Sequence, residues 1–156
     1  MAVFVPGMIC PFCRKAISRS DDIIMFPPFV PNRRDPLYLF NDAVLHRACC
    51  EDHPLSKKAT VCAEEARSHS RPGNRRCIVC NGDILDPDDY FSVGFLTDDS
   101  SSPAFAFNNL QLHRSHFLQW DRAAEFRQAV QQRQESEVWE GPKIIFDPMP
   151  RWDTSR

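Results

Sequence analysis

The hydrophobic pattern of the first half of the chain consists of short apolar runs separated by polar and proline-rich segments. Residues 23–26 and 37–40 form two such runs. They predict two short strands, because the prolines between them prevent regular pairing over a longer stretch. Asn41 and Asp42 follow the second run. Both residue types are favoured at helix N-termini, so we expect a helix to begin directly after them.

The second half of the chain has the same order of apolar and polar segments. Apolar residues dominate 90–96 and 105–107, which predicts two further short strands, and Asn108 and Asn109 follow them. An apolar stripe at steps of three and four residues comes next and predicts a long second helix. The stripe consists of His116, Trp120, Ala123, Phe126 and Val130.

A polar, basic segment lies between the two halves. Residues 56–68 are compatible with a helix, and the proline and glycine near residue 72 indicate a linker. Residues 143–147 predict a final strand after the long helix, which should stop by Gly141 and Pro142. We therefore divide the chain into a first unit at 1–66, a basic linker at 67–76 and a second unit at 77–156.

The composition limits how such units can be stabilised. The chain has 156 residues, 13 of them proline, so each unit has a small core of the kind that commonly needs a metal or another cross-link. The formal net charge of −2 provides no overall attraction to nucleic acid or to an anionic membrane. No apolar stretch approaches the roughly 20 residues of a transmembrane helix, and the N-terminus lacks the pattern of a signal peptide.

Cysteine and histidine recur with the same spacing in both halves. Each half follows the pattern C-x2-C-x32-H-x2-[CH], in which a close cysteine pair is followed, after a long gap, by a histidine and a fourth cysteine or histidine. The first set is Cys10, Cys13, His46 and Cys49. The second set, Cys77, Cys80, His113 and His116, lies at one constant offset from the first at every position. Thiolate and imidazole are the donors that tetrahedral zinc prefers, so the spacing predicts two structural zinc sites per chain.

The cysteine count also indicates the compartment. Seven cysteines, most of them at ligand spacing, indicate metal binding in a reducing cytoplasm rather than a disulfide framework. Cys50 and Cys62 remain outside the ligand sets. Three thiolates give the first site a formal charge of −1, whereas the second site is neutral. We expect the second site to lose its metal more readily at low pH, because free histidine protonates near pH 6.5.

The ligand layout resembles that of treble-clef zinc fingers, and the pairing of a Cys-x-x-Cys...His-x-x-Cys unit with a Cys-x-x-Cys...His-x-x-His unit is similar to LIM domains. The resemblance covers residues 10–53 and 77–130. It implies a small, metal-stabilised α+β fold of two tandem units. Each unit is built from a knuckle (the tight turn that carries the two close cysteines), a β-hairpin and a helix, and the second unit has a longer C-terminal helix. The long gap between ligand pairs and the linker differ from LIM domains, so no LIM-specific partner is implied.

Three functions compete at this stage. We expect a non-enzymatic protein-interaction or adaptor module, because closed four-ligand sites are structural and several aromatic side chains exceed what two thin cores bury. Those aromatic residues are Phe12, Phe29, Phe95, Phe105, Trp120, Trp139 and Trp152. The alternative is a nucleic-acid-binding protein that contacts phosphates through Arg67, Arg71, Arg75 and Arg76. A remote alternative is a thiol-redox protein that uses Cys10-Pro11-Phe12-Cys13.

Catalytic interpretations have less support from the sequence. Paired aspartates at 21–22 and 88–89 stand at the start of both hairpins, where turn formation explains them. The nuclease chemistry found on some treble-clef frames needs a histidine in the hairpin, and none of the five histidines lies in either predicted hairpin. We therefore expect no enzymatic activity.

Overall fold

A computed structural model describes residues 3–144 of the chain as short strands and helices. In chain order, the strands and α-helices are β1 (Ile23–Met25), β2 (Val44–His46), α1 (Arg47–Glu51), α2 (Ser56–Ser70), β3 (Tyr90–Ser92), β4 (Gln111–His113) and α3 (Ala123–Glu135). Within this range, 3-10 helices lie between them at Pro36–Phe40, Pro72–Asn74, Pro103–Phe107 and Arg114–Gln119. The result is a small mixed fold of helices and sheet. None of the helices in this part of the chain is long and apolar enough to cross a membrane.

Each half contains one two-stranded antiparallel hairpin. Strands β1 and β2 pair with Ile23 opposite His46, and strands β3 and β4 pair with Tyr90 opposite His113. The hairpins are only three residues long on each side, because prolines or loop residues follow at once. In both halves the last residue of the second strand is the first histidine of the predicted ligand pair.

The backbones of the two halves correspond at the same offset that relates their cysteines and histidines. Arg14 and Asn81 both have a left-handed backbone, with φ of 62° and 57°, and so do Asp42 and Asn109, with φ of 50° and 56°. The isolated bridge between residues 9 and 16 has its counterpart between 76 and 83. Corresponding conformations at corresponding positions place the ligands of the two halves on equivalent scaffolds.

The runs at 37–40 and 105–107 are 3-10 helices, so the prediction of strands there is wrong. Proline at the first helical position favours a helical start, and a side chain caps each turn: Asp35 accepts a hydrogen bond from the Leu37 N–H at 2.9 Å, and Ser102 accepts one from the Ala104 N–H at 3.4 Å. With three residues per turn, positions three apart share a face. Leu37 and Phe40 are accordingly both fully buried.

The helix expected directly after Asn41 and Asp42 is also wrong in its position. Strand β2 comes first, and α1 begins at Arg47 with His46 at its N-cap. The Asn41 side chain does not cap a helix; its Oδ1 accepts hydrogen bonds from two backbone N–H groups of the loop after β1. The asparagine therefore stabilises the loop that connects the two strands of the hairpin.

The long second helix is interrupted. The 3-10 helix at Arg114–Gln119 has Trp120 as its C-cap, and α3 begins only at Ala123. The apolar stripe is nonetheless buried where it was expected, at Trp120, Phe126 and Val130. Helix α3 ends at Glu135, before Gly141. Lys143 and Ile144 are not in a strand, and the rest of the predicted strand at 145–147 lies outside the described residues, as does Trp152.

The predicted linker at 67–76 contains the end of a helix and a 3-10 turn. Helix α2 continues to Ser70, and a 3-10 turn follows at Pro72–Asn74. Two polar contacts join the halves across this region: Gln111 Nε2 donates to the His69 carbonyl at 2.7 Å, and Lys58 pairs with Asp98 at 2.6 Å.

Two apolar cores hold the fold, one in each half. Phe95 belongs to the second half in sequence but packs into the first core. Three of the aromatics expected as a partner surface are instead almost fully buried, namely Phe29, Phe95 and Trp120. Phe105 is exposed. The expectation of exposed aromatics is therefore wrong for these three of the seven, because the two cores accommodate more aromatic side chains than their length suggests. Phe12 and Trp139 are half-buried, and Trp152 lies outside the described residues.

Candidate metal centres

The first cluster is assembled from a tight turn and a strand–helix junction. The turn between Cys10 and Cys13 closes through a hydrogen bond from the Arg14 N–H to the Cys10 carbonyl, and the left-handed backbone of Arg14 turns the chain back. His46 ends β2 and Cys49 lies in α1. The junction brings imidazole and thiol to the same side, opposite the two thiols of the turn.

The ligand atoms of the first cluster are close enough to share one ion. The four side-chain atoms all lie within 4.8 Å of one another. His46 Nδ1 is 3.4 Å from Cys13 Sγ and 4.0 Å from Cys49 Sγ. In a tetrahedral zinc site with ordinary Zn–S and Zn–N bonds, the edges of the tetrahedron measure about 3.5–3.8 Å. The observed separations fit such a site, so the cluster could hold a metal ion.

The second cluster has the same construction with one thiol replaced by imidazole. Cys77 Sγ lies 3.5 Å from His116 Nδ1, and Cys80 Sγ lies 3.6 Å from His113 Nδ1. These four atoms also lie within 4.8 Å of one another. The structure thus brings together all eight predicted ligands in two groups of four, and each group could hold a metal ion.

Backbone N–H groups prepare one thiol in each cluster to lose its proton. Burial acts to raise the pKa of Cys10, but hydrogen bonds from the backbone at Cys13, His46 and Phe12 outweigh it and lower the pKa to about 6. The same balance, with backbone donors at His113 and Cys80 opposing burial, lowers the pKa of Cys77 to about 6. A thiolate is the form that binds metal, so each cluster has one ligand already in the binding form at neutral pH.

Cys49 shows the opposite behaviour. Burial and the neighbouring Cys13 and Cys10 raise its pKa to about 11. Three thiols in one cluster cannot all ionise without a cation, because each negative charge opposes the next. The first cluster therefore needs a bound cation before its third thiol can act as a ligand at neutral pH.

His46 has a second polar partner on the side away from the thiols. Its Nε2 lies 3.4 Å from Asp21 Oδ2. A carboxylate in this place fixes the orientation and tautomer of a ligating imidazole. The hydrogen bonds of His46 with Cys10 and Cys13 raise its pKa. The sequence pattern indicates only a turn at Asp21 and carries no signal for this second role. Asp21 does form the turn, since it accepts a hydrogen bond from the Ser18 N–H at 2.7 Å.

The second cluster lacks an equivalent carboxylate contact on its first histidine, among the residues that the structure describes. Asp89 accepts hydrogen bonds from the Ser115 N–H at 2.8 Å and from the Ser115 hydroxyl at 3.0 Å. That contact holds the chain between the two histidine ligands. The arginine that directly follows the first histidine of each cluster also supports the hairpin. Arg47 pairs with Asp22 at 3.0 Å, and Arg114 donates to the Tyr90 carbonyl at 3.0 Å.

The remaining cysteines and histidines lie outside both clusters. Cys50 is buried in the first core with its Sγ 3.3 Å from the Ser56 hydroxyl, as expected for a core residue. His53 stacks on Phe12 with ring centroids 4.6 Å apart. His69 Nδ1 lies 2.8 Å from the Glu65 carbonyl. All seven cysteines are free of disulfides.

Comparisons with known proteins add no family to this description. No protein-family model matches the chain, and neither the curated proteins nor the solved structures contain a significant match. The function must therefore be argued from the two Cys/His clusters and the surfaces around them.

Proposed function

We propose that this chain is a zinc protein in which two structural metal centres support a non-enzymatic protein-interaction module. The observation that carries the proposal is that each cluster offers four protein ligand atoms within 4.8 Å. Four protein ligands complete the tetrahedral shell of zinc and leave no open position for a substrate or a reactive water. Structural sites have this closed form, and catalytic sites do not.

Zinc is the metal that the donor set favours. Three thiols with one imidazole, and two thiols with two imidazoles, are both common structural zinc sets. Hard cations such as magnesium and calcium prefer oxygen donors, and neither group of four contains one. Two zinc ions per chain in a reducing, cytoplasmic compartment form part of this proposal.

We interpret each half as a treble-clef-like, LIM-like finger, and the pair as a tandem repeat. The support is the shared order of cysteine turn, hairpin and helical turn. Both strands, the 3-10 helix between them and two left-handed residues recur in the second half at one constant offset. In this interpretation the metal centres substitute for part of the apolar core that units of this size lack.

A protein partner is the role that the surface around the second centre favours. Leu118, two residues after His116, is 79% exposed, and Ile78, directly after Cys77, is 55% exposed. The equivalent positions in the first half hold Glu51 and Pro11. Exposed apolar patches mark contact surfaces. The first centre has a different exposed aliphatic neighbour, Ile9 directly before Cys10, which is 54% exposed, so the two halves present different surfaces.

Nucleic-acid binding has weaker support. Of the four arginines that could contact phosphates, Arg75 stacks on the Tyr90 ring at 4.3 Å and Arg76 pairs with Asp83 at 3.5 Å. Arg67 and Arg71 are exposed, and two separate cations make a small phosphate-binding surface. The thiol-redox alternative would require the cysteines of the first turn to cycle rather than to bind metal.

Site-specific crosslinking tests the proposed surface. A photo-reactive benzoylphenylalanine replaces Leu118 in one variant and Glu51 in a control, since both sites are exposed and correspond in the two halves. In extracts of the native cell we expect one discrete protein adduct from position 118, lost after zinc chelation and resistant to nuclease and high salt. Adducts that disappear with nuclease or weaken steeply with salt would favour nucleic acid instead. Equal labelling from both positions would contradict a specific surface.

A further inference from the structure

A cleft with a volume of about 610 Å³ lies between the two halves. One wall is the loop after β1, with Phe29 and Val30, and another is the loop after β3, with Val93 and Leu96. The segment around Trp139 closes a third side. The volume is that of typical small-molecule sites, which measure about 300–1,000 Å³.

The charges that line this cleft all have one sign. Arg75 and Lys143 are its charged side chains, and no aspartate or glutamate lines it within residues 3–144. The chain as a whole has more acidic than basic residues, 21 against 19. A cleft with two cations and no carboxylate is therefore unlike the average surface of this protein, and it is complementary to an anion.

Neither cation has an anionic partner in the part of the chain that the structure describes. The Arg75 Cζ lies over the Tyr90 ring, 4.3 Å from its centroid, and the Arg75 Nε is shielded from solvent without a hydrogen-bond acceptor among the described residues. Lys143 is exposed and has no hydrogen bond or ion pair among residues 3–144. Guanidinium groups bind carboxylates through paired hydrogen bonds, so Arg75 is available for an acceptor that reaches it through the cleft.

We propose that this cleft binds a small amphipathic carboxylate, such as an aryl or alkyl acid. The apolar group would contact Phe29, Val93 and Trp139, and the carboxylate would pair with Arg75 and Lys143. A flat apolar body with one negative end uses both features of the cleft. This inference is independent of the protein-interaction surface at Leu118, since Leu118 does not line the cleft.

The chain offers a steric test position in the same cleft. Gly94 lines the cleft, and a Cβ built on it meets no atom within 4 Å. The side chain of Gly94→Phe therefore starts in open space at the lining of the cleft. Arg127→Gln provides the charge control. The Arg127 Cζ also lies over an aromatic ring, 5.0 Å from the centroid of Phe117, but Arg127 does not line the cleft.

Two probes of nearly the same shape test the proposal: 1-naphthaleneacetate, which is anionic, and 1-naphthaleneacetamide, which is neutral. Each is titrated into the full, metal-loaded chain and followed by amide NMR shifts. We expect the acetate to bind with a roughly millimolar or tighter affinity, with shifts at residues such as Gly94 and Gln111. The acetamide should bind at least about tenfold more weakly, because it lacks the charge-assisted hydrogen bonds.

The variants decide the outcome. Arg75→Gln should remove most of the preference for the acetate, Gly94→Phe should weaken both probes, and Arg127→Gln should change neither. The metal content of each variant is measured alongside and should equal that of the unmodified chain. Equal affinity for the two probes, shifts confined to other surfaces, or no binding up to about 10 mM would overturn the proposal. The sedimentation coefficients of Gly94→Phe and the unmodified chain are also compared without any probe. A difference between them would overturn the proposal, since it would mean that the cleft of the unmodified chain holds a second copy of the chain.

Discussion

Replacement of Asn41 by alanine should destabilise the first half more than its partial exposure suggests. The Asn41 Oδ1 accepts hydrogen bonds from the backbone N–H groups of Phe29 and Val30, at 2.7 and 2.8 Å. Both of these residues are buried, with exposures of 6% and 1%. Alanine leaves the two donors without a partner, and the loop cannot turn them to water without moving both side chains out of the core.

The magnitude follows from the two lost acceptor contacts. An unsatisfied buried donor costs about 1–3 kcal/mol. Allowing for partial access of water to the loop, we expect the free energy of unfolding to fall by about 2–4 kcal/mol. With a urea slope near 2 kcal/mol per molar, the unfolding midpoint should fall by about 1–2 M. Amide hydrogen exchange at Phe29 and Val30 should accelerate most.

The corresponding asparagine in the second half provides the control for this reasoning. Asn108 Oδ1 accepts from the N–H groups of Leu96 and Thr97 at 2.7 and 3.1 Å, and its Nδ2 also donates to the Thr97 carbonyl at 2.8 Å. Aspartate retains the acceptor but not the donor. Asn41→Asp should therefore lower the free energy of unfolding by less than about 1 kcal/mol. Asn108→Asp should lower it by about 1–3 kcal/mol, because the new carboxylate oxygen would lie against the Thr97 carbonyl oxygen with no donor between them.

All three variants are measured by urea unfolding with excess zinc, so that metal loss does not add to the differences. The reasoning would be refuted by Asn41→Ala proteins that keep the unmodified midpoint and slow exchange at both loop amides. Equal effects of the two aspartate substitutions would also contradict it, because the donor role of Asn108 would then be immaterial.

Three further predictions test other parts of the structure. Gly141→Ala should lower the melting temperature, since the added Cβ would lie 2.5 Å from the backbone carbonyl oxygen of Pro31, and overpacking typically costs about 1–3 kcal/mol. Gly73→Ala is the control: its added Cβ meets no atom within 4 Å, so the melting temperature should not fall. Burial raises the pKa of the Asp35 carboxyl in the folded state. The protonated carboxyl therefore contributes stability that is fully present below the unfolded pKa and is lost as pH rises through the folded pKa. In paired urea titrations, Asp35→Asn should be more stable than the unmodified chain at neutral pH, and this difference should shrink on acidification. Elemental analysis should find one metal fewer in Cys49→Ser and no loss in Cys50→Ala, and equal losses would contradict the ligand assignment.

The ligand sets could be predicted from the sequence because their chemistry is local and their spacing recurs. Cysteine and histidine at corresponding positions need no knowledge of packing, and the structure brings together the residues that the spacing selects. The hairpins that carry the histidines were predictable in part, since β1 and β3 coincide with apolar runs. Their second strands, at Val44–His46 and Gln111–His113, were assigned to helix because the asparagines before them resemble helix caps.

The 3-10 helices at 36–40 and 103–107 carried a sequence signal that strand propensity concealed. Asp35-Pro36 and Ser102-Pro103 each combine a capping side chain with proline at the first helical position. Alternation would bury Leu37 and Leu39 together, but Leu39 is exposed and Phe40 is buried. The three-residue period of a 3-10 helix explains this burial pattern, and the two-residue period of a strand does not. A run of four residues is too short for the sequence alone to distinguish the two periods.

Contacts between distant segments had no local signal. Asn32 donates to the Val138 carbonyl at 2.9 Å, and its own Oδ1 accepts from the Glu140 N–H at 2.8 Å. These bonds attach the segment after α3 to the first half and help to form the cleft. Such pairings depend on how the two halves meet, which hydrophobic periodicity does not encode.

Metal content per chain is the most direct test of the central claim. Protein purified in the presence of reductant and without a metal-binding tag is analysed for zinc, iron and other metals, together with free thiols. We predict two zinc ions per chain, and one in Cys77→Ser with the first centre still loaded. A chain without bound metal, in which Cys10 is joined to Cys13 or Cys77 to Cys80 by a disulfide, would contradict the account and favour thiol-redox chemistry.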